Sequence, residues 1–91
     1  MTARRLRIYG RVQGVFYRNW AEQTAQSLGL SGWVRNCMDG SVEAVVAGET
    51  EHVRRFIALA HKGPAAARVT HVDECAEPDA EYIGFVVRPT Q

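Results

Sequence analysis

The stretch Gly10-Arg11-Val12-Gln13-Gly14-Val15-Phe16-Tyr17-Arg18 sets two glycines four residues apart and closes on an arginine. A turn of this kind lets successive backbone N–H groups converge on one point, and a helix that starts there adds about half a positive charge. The chemistry on offer is anion binding. A guanidinium presents a planar fork matched to phosphate oxygens, and a charge-assisted hydrogen bond of that type contributes about 1.5 to 3 kcal/mol. The loop lacks the Lys-Ser/Thr pair of a nucleotide-binding P-loop, so by spacing alone an ordinary turn with a surface arginine is the plainer reading.

A second stretch runs Gly32-Trp33-Val34-Arg35-Asn36-Cys37-Met38-Asp39-Gly40-Ser41-Val42, with Gly48 beyond it. By spacing it is a hairpin, and Asn36 alone reads as a polar residue satisfied at a strand end. The other polar side chains offer less. His52, His61 and His71 fall on separate elements with no ligand spacing and are given no role. Cys37 and Cys75 form no C-x-x-C or Cys/His cluster, so both read as free thiols. Strand alternation turns Cys37 away from the face of Asn36, as a packing residue. Trp33 reads as a partly covered aromatic on a strand, and Asp39 as a turn former.

The elements that must position these groups follow from hydrophobic period. Residues 4 to 10 alternate, with Leu6 and Ile8 on one side and Arg5, Arg7 and Tyr9 on the other, which predicts a strand with one covered face. Tyr17, Ala21, Ala25 and Leu28 then recur as one helical stripe that ends at Gly29, with the helix starting near Arg18. Residues 31 to 37 and 41 to 47 are strands. A two-residue Asp-Gly loop between them would set Asn36 opposite Glu43. A three-residue loop with a left-handed Gly40 sets Asn36 opposite Val42 and Val34 opposite Ala44. The second register is preferred, because it keeps Val34, Val42, Ala44 and Val46 on one buried face, whereas a one-residue slip reverses every side chain. Asn36 then points to the buried side, near its edge.

Thr50 reads as the cap of a second helix in which Val53, Phe56, Ile57 and Ala60 share a face, and His61-Lys62-Gly63-Pro64 as its stop. Residues 66 to 75 read as a strand with a bulge or irregular start, followed by a turn at Glu77-Pro78-Asp79. The segment from Tyr82 to Arg88 reads as a last strand. The order is βαββαβ with an extra strand, and its natural packing is α+β, a two-layer sandwich with two helices on one face of an antiparallel sheet.

Composition bounds the rest. Ninety-one residues with 46% hydrophobic content suit one domain over residues 1–91. Eleven Lys and Arg against ten Asp and Glu leave a formal charge of +1, so no bulk field favours nucleic acid or an anionic membrane, and any anion site must be local. No apolar run approaches the roughly 18 residues of a membrane span, which makes a soluble cytoplasmic protein the expectation. No heptad and no exposed apolar stripe is evident, so a monomer is expected.

Together the two stretches resemble the acylphosphatase family, whose pattern reads G-x-V-Q-G-V-x-[FY]-R followed by a G-[FYW]-x-x-N-x-x-x-G-x-V hairpin with a later glycine. Every named position is present, and the likeness extends from about Arg4 to Arg88. The resemblance implies a ferredoxin-like fold and hydrolysis of small acyl phosphates to carboxylate and phosphate, with no metal or organic cofactor. Carried over by position, Arg18 matches the arginine that binds the substrate phosphate. The amides of Val12, Gln13, Gly14, Val15, Phe16 and Tyr17 match the surrounding loop, and Asn36 matches the asparagine that orients water. The chemistry agrees, since a mixed anhydride already carries a good leaving group and needs positioning and charge stabilisation more than a strong base. One departure lies at the C-terminus, where Arg88 is followed by Pro89 and many family members carry an aromatic.

The alternative is a non-catalytic ferredoxin-like module that binds RNA or a phosphorylated metabolite, because fold does not determine function. Modules that bind RNA place stacking aromatics on the third strand, and Ser41 to Ala47 has none.

Overall fold

The alternation of Leu6 and Ile8 with Arg5, Arg7 and Tyr9 produces β1 (Thr2–Arg11), and both aliphatic side chains are fully buried. The computed structural model describes residues 1–78 and 81–91. After β1 come α1 (Tyr17–Ser27), β2 (Ser31–Asn36), β3 (Val42–Gly48), α2 (Thr50–Ala60), β4 (Arg68–Ala76) and β5 (Phe85–Val87). Helix α1 buries Tyr17, Ala21 and Ala25, while Val53, Phe56 and Ala60 are the buried positions of α2. Both stripes join Leu6, Ile8, Val34 and Val46 in one core cluster between the helices and the sheet.

The sheet order is β4-β1-β3-β2-β5. The first four strands pair antiparallel, as expected for this order, and β5 adds in parallel beside β2. The complete sheet is therefore mixed, where the sequence pattern suggested antiparallel pairing only. Three residues of β5 carry too little pattern to disclose their direction.

The hairpin register is the one that keeps the aliphatic face together: Val34 lies opposite Ala44 and Asn36 opposite Val42. Gly40, at φ 93°, supplies the left-handed turn residue, and its N–H donates to the Cys37 carbonyl at 3.1 Å. The expected irregularity in β4 is also present. Tyr9 pairs with His71 and Gly10 with Val69, which leaves Thr70 as the extra residue of a bulge. The turn read at Glu77-Pro78-Asp79 extends outside the described residues at Asp79, while the Glu77 N–H donates to the Ala3 carbonyl at 3.2 Å.

One local expectation is corrected. The N-cap of α2 is Glu49, with extended backbone and no side-chain cap bond, and Thr50 is the first helical residue. The Thr50 hydroxyl lies instead 2.6 Å from that of Thr2, a partner 48 residues away that no local pattern discloses.

The face of the sheet away from the helices is closed by charge and one indole. Glu43, only 6% exposed, accepts hydrogen bonds from both Arg5 and Arg35, and Arg5 also reaches Glu77. The guanidinium groups of Arg5, Arg35 and Arg88 lie 5.5, 4.8 and 4.7 Å from the Trp33 ring centroid. Trp33 is thereby buried outside the main core, more completely than the sequence suggested, by cation–π stacking with long side chains.

Candidate active site

Between β1 and α1 the chain makes two left-handed residues, Gly14 at φ 73° and Phe16 at φ 66°, and the second is the N-cap of α1. Alternating handedness of this kind turns peptide N–H groups toward one side and forms a nest. Gly14 has open space where a Cβ would stand, so its glycine answers to backbone conformation and not to crowding. The first turn of α1 carries no acidic residue, and no side chain caps its amides. Among the described residues, no backbone hydrogen bond outside the helices and strands uses the N–H of residues 13 to 19. Donors without backbone partners at the positive end of a helix dipole are an arrangement suited to an anion.

Arg18 is the second residue of α1 and half-buried. It makes no ion pair among the described residues, whereas Arg4, Arg5, Arg35 and Arg54 are all engaged with carboxylates. Its neighbour Tyr17 fixes the start of the helix. The buried Tyr17 hydroxyl donates to the Ala60 carbonyl at the end of α2, 2.7 Å away, and burial pushes the phenol well above its ordinary pKa. The Tyr17 ring begins an aromatic series through Trp20 and Phe56 to Phe85, with centroid spacings of 5.2, 6.0 and 6.3 Å. Through Phe85 the same packing places β5.

Asn36 ends β2, on the same face as Val34 and at its margin. Its Oδ1 is a buried side-chain oxygen with no hydrogen-bond partner. Leaving such an atom unpaired costs about 1 to 3 kcal/mol, and orphaned groups of this sort are uncommon enough to require an explanation. Arg18 and Asn36 line one cleft of about 440 Å³, together with Val12, Gly14 and Phe16 of the loop and Val87 of β5. Helix α1 adds Asn19 and Glu22 to the same wall. The candidate residues from two separate stretches of sequence are thus brought together. The side chains of Gln13 and Val15 are not part of this lining; Val15 is buried in the core.

Gln13 has a different task that the motif did not disclose. Its Nε2 donates to the carbonyls of Cys37 and Ser41, at 2.8 and 2.9 Å, and so ties the loop to the hairpin that carries Asn36. The hairpin is held from the other side by the last residues. The Arg88 N–H donates to the Val34 carbonyl, the Gln91 N–H to the Asn36 carbonyl, and the Met38 N–H to the Gln91 backbone oxygen. Pro89 therefore leaves the terminal segment packed along β2. Asp39 is a turn former: its Oδ1 accepts from the Ser41 hydroxyl and N–H, which hold its carboxyl below the usual range. Cys37 is buried and Cys75 exposed, both as free thiols. Among the described residues, no group of three or more His, Cys, Asp or Glu side chains is placed to hold a metal ion, and no helix is long and apolar enough to cross a membrane.

Sequence comparison matches a model of the acylphosphatase family to residues 4–87. A protein of Azoarcus sp. (strain BH72) named acylphosphatase is 54% identical over 90 residues, which span 99% of this chain and 92% of that protein. Among solved structures, that of an acylphosphatase from Coxiella burnetii superposes with a TM-score of 0.92 at 34% identity, covering 96% of this chain and 92% of the other. The crystal structure of acylphosphatase from Bacillus subtilis gives 0.93 at 29% identity, with coverages of 97% and 99%. A non-catalytic RNA- or metabolite-binding module is not favoured beside these matches. The helix-free face argues the same way, since its Trp33 is buried and its Arg5 and Arg35 are spent on Glu43.

Proposed function

The chain belongs to the acylphosphatase family, and on that premise we propose that it hydrolyses small acyl phosphates in the cleft between α1 and the end of β2, with Arg18 and the loop amides of residues 12 to 17 holding the phosphoryl group and Asn36 orienting water. The observation that carries this reading is the meeting of Arg18 with the orphaned Asn36 Oδ1 in one cleft. Oδ1 is an acceptor, so it suits a water hydrogen and leaves the water lone pair free for phosphorus.

In the proposed step the water oxygen bonds to phosphorus as the bond from phosphorus to the acyl oxygen breaks, and the carboxylate leaves with that bond's electron pair. The water proton passes to a phosphoryl oxygen, because an amide does not accept a proton usefully at neutral pH. Products are a carboxylate and inorganic phosphate. Charge on the equatorial oxygens is met by the Arg18 fork and by fixed N–H dipoles, which need no reorganisation during reaction. No metal or organic cofactor has a part in this scheme, and the protein acts as a monomer.

The test is hydrolysis of acetyl phosphate by the purified protein in excess chelator, beside Arg18→Ala and Asn36→Ala. Arg18→Ala is expected to lose both turnover and inorganic phosphate affinity, and Asn36→Ala about 10² to 10³ in kcat with phosphate binding kept. Equal turnover by all three folded proteins would refute the assignment.

A further inference from the structure

The charges of this chain nearly cancel in sum, yet they are segregated along its length. The first 21 residues hold five arginines and no Asp or Glu, and residues 52–72 hold Arg54, Arg55, Lys62 and Arg68 and again no Asp or Glu. Folding neutralises one part of this excess and leaves another. Arg4 pairs with Glu74, Arg5 with Glu43 and Glu77, and Arg54 with Glu51, while Arg7 lies 3.9 Å from Asp39. Arg11, at the far end of β1, has a different neighbour: its partner across the β1–β4 pair is Arg68. Both are exposed, and neither makes an ion pair among the described residues. Like charges directly opposed across two strands work against the pairing.

Lys62 joins them at the same end of the molecule. The Tyr17 hydroxyl holds the Ala60 carbonyl, and a Cβ on Gly63 would stand 2.5 Å from Tyr17 Cε2, so the end of α2 that precedes Lys62 is pressed against the start of α1. Lys62 is exposed and, among the described residues, makes no ion pair either. The cleft lies at this end: Val12, next after Arg11, and Tyr17 both line it, whereas Arg11, Lys62 and Arg68 do not. Two carboxylates share the region. Asp39 accepts from Ser41 beside Arg7, and Glu22 stands in the cleft wall. At the other end of β1 the guanidiniums are matched, because Glu74 and Glu77 bond to Arg4 and Arg5. The unmatched positive charge of β1, β4 and the end of α2 is therefore gathered where the cleft is.

The field of such charges reaches about 30 Å at 0.01 M ionic strength and about 10 Å at 0.1 M. It raises both the local concentration of an anion and its rate of arrival, without contact to the bound molecule. We propose that Arg11, Lys62 and Arg68 steer dianionic substrates to the cleft and disfavour phosphoryl compounds of lower charge. They act through space, since none of them lines the cleft. This rests on the phosphoryl assignment to the cleft and deepens it by naming the residues that govern substrate capture. An acyl phosphate carries two negative charges near neutral pH, so each cation attracts it twice as strongly as it attracts a monoanion.

The experiment measures kcat and KM for acetyl phosphate at about 0.01 M and about 0.5 M ionic strength. It compares the wild type, the double variant Lys62→Glu with Arg68→Glu, and the charge-keeping double variant Lys62→Arg with Arg68→Lys. Arg11 is left in place because it adjoins the loop. The Glu variant is expected to lose about tenfold in kcat/KM at the low ionic strength, through KM with kcat kept, and less than about twofold at the high one. The charge-keeping variant should match the wild type at both. A structural role for these side chains would instead show in kcat, in circular dichroism and at both ionic strengths alike. Equal kcat/KM in all three proteins at low ionic strength would overturn the proposal, as would a loss that salt does not remove.

Calorimetric titration with inorganic phosphate separates this proposal from the catalytic one, since it requires no turnover. A phosphate affinity that is weaker in the Glu variant than in the wild type at low ionic strength, and equal at high, would uphold the steering role even if acetyl phosphate were not hydrolysed. Equal affinities at low ionic strength would refute it even in an active enzyme.

Discussion

Gln13 Nε2 lies 2.8 Å from the carbonyl oxygen of Cys37, the residue that follows Asn36, and a second bond to the Ser41 carbonyl makes the link a two-point one. The glycine loop and the asparagine proposed to orient water are separated by a β-strand and a helix in sequence, so their relative position depends on such ties. A shift of about 1 Å between two reacting groups can cost a factor of 10² in rate.

Gln13→Leu should therefore lower kcat by about tenfold while stability falls by only about 1 kcal/mol, because both carbonyls keep other backbone donors. Steady-state kinetics beside urea unfolding will separate the effects. A loss of stability with unaltered kcat would mean that the tie is structural alone.

Tyr17→Phe should cost about 1 to 2 kcal/mol by leaving the Ala60 carbonyl without its donor. The variant should also change the alkaline limb of the stability curve. The phenol is raised in the folded state, so its contribution is fully present below the ordinary tyrosine value of about 10 and is lost as pH rises through the folded pKa. Thermal unfolding between pH 8 and 11 should show a steeper fall in the wild type than in Tyr17→Phe.

At the acid end the group to watch is Glu43. Burial would raise its pKa, but the hydrogen bonds from Arg35 and Arg5 outweigh that and hold the carboxyl below its ordinary range. A depressed folded pKa contributes stability above the unfolded value, near 4.3, and that contribution is lost as pH falls through the folded one. Glu43→Gln should destabilise by about 1 to 3 kcal/mol at neutral pH and flatten the decline below about pH 4.5. Chemical denaturation across pH 3 to 7 measures both.

The sequence disclosed those features whose cause is local or periodic. Val34, Val42, Ala44 and Val46 can share a face in only one register, so the hairpin and the direction of Asn36 were legible, whereas the glycine spacing before Arg18 left it an ordinary surface arginine until both stretches were set together as one family pattern. Long-range partners were not legible. Nothing near Thr50 announces that its hydroxyl will meet Thr2 and leave the cap to Glu49. Nothing near Trp33 announces that guanidiniums from three strands or strand ends will cover it. Val87 enters the cleft only because a three-residue strand pairs in parallel with β2, and three residues are too few to carry a period.

That short strand also bears on how the molecule keeps to itself. Without β5, the outer rim of β2 would present a row of unpaired amides and carbonyls, the template on which another chain can add and begin a fibril. Residues 85–87, with the Arg88 and Gln91 bonds to the Val34 and Asn36 carbonyls, occupy that rim. The opposite rim, β4, carries the bulge at Thr70 and the charges of Arg68, Asp73 and Glu74. The sheet is thus finished at one side by a stub too short to recruit a neighbour and at the other by a bent, charged border, so the site described above sits in a fold guarded against edge-to-edge self-association.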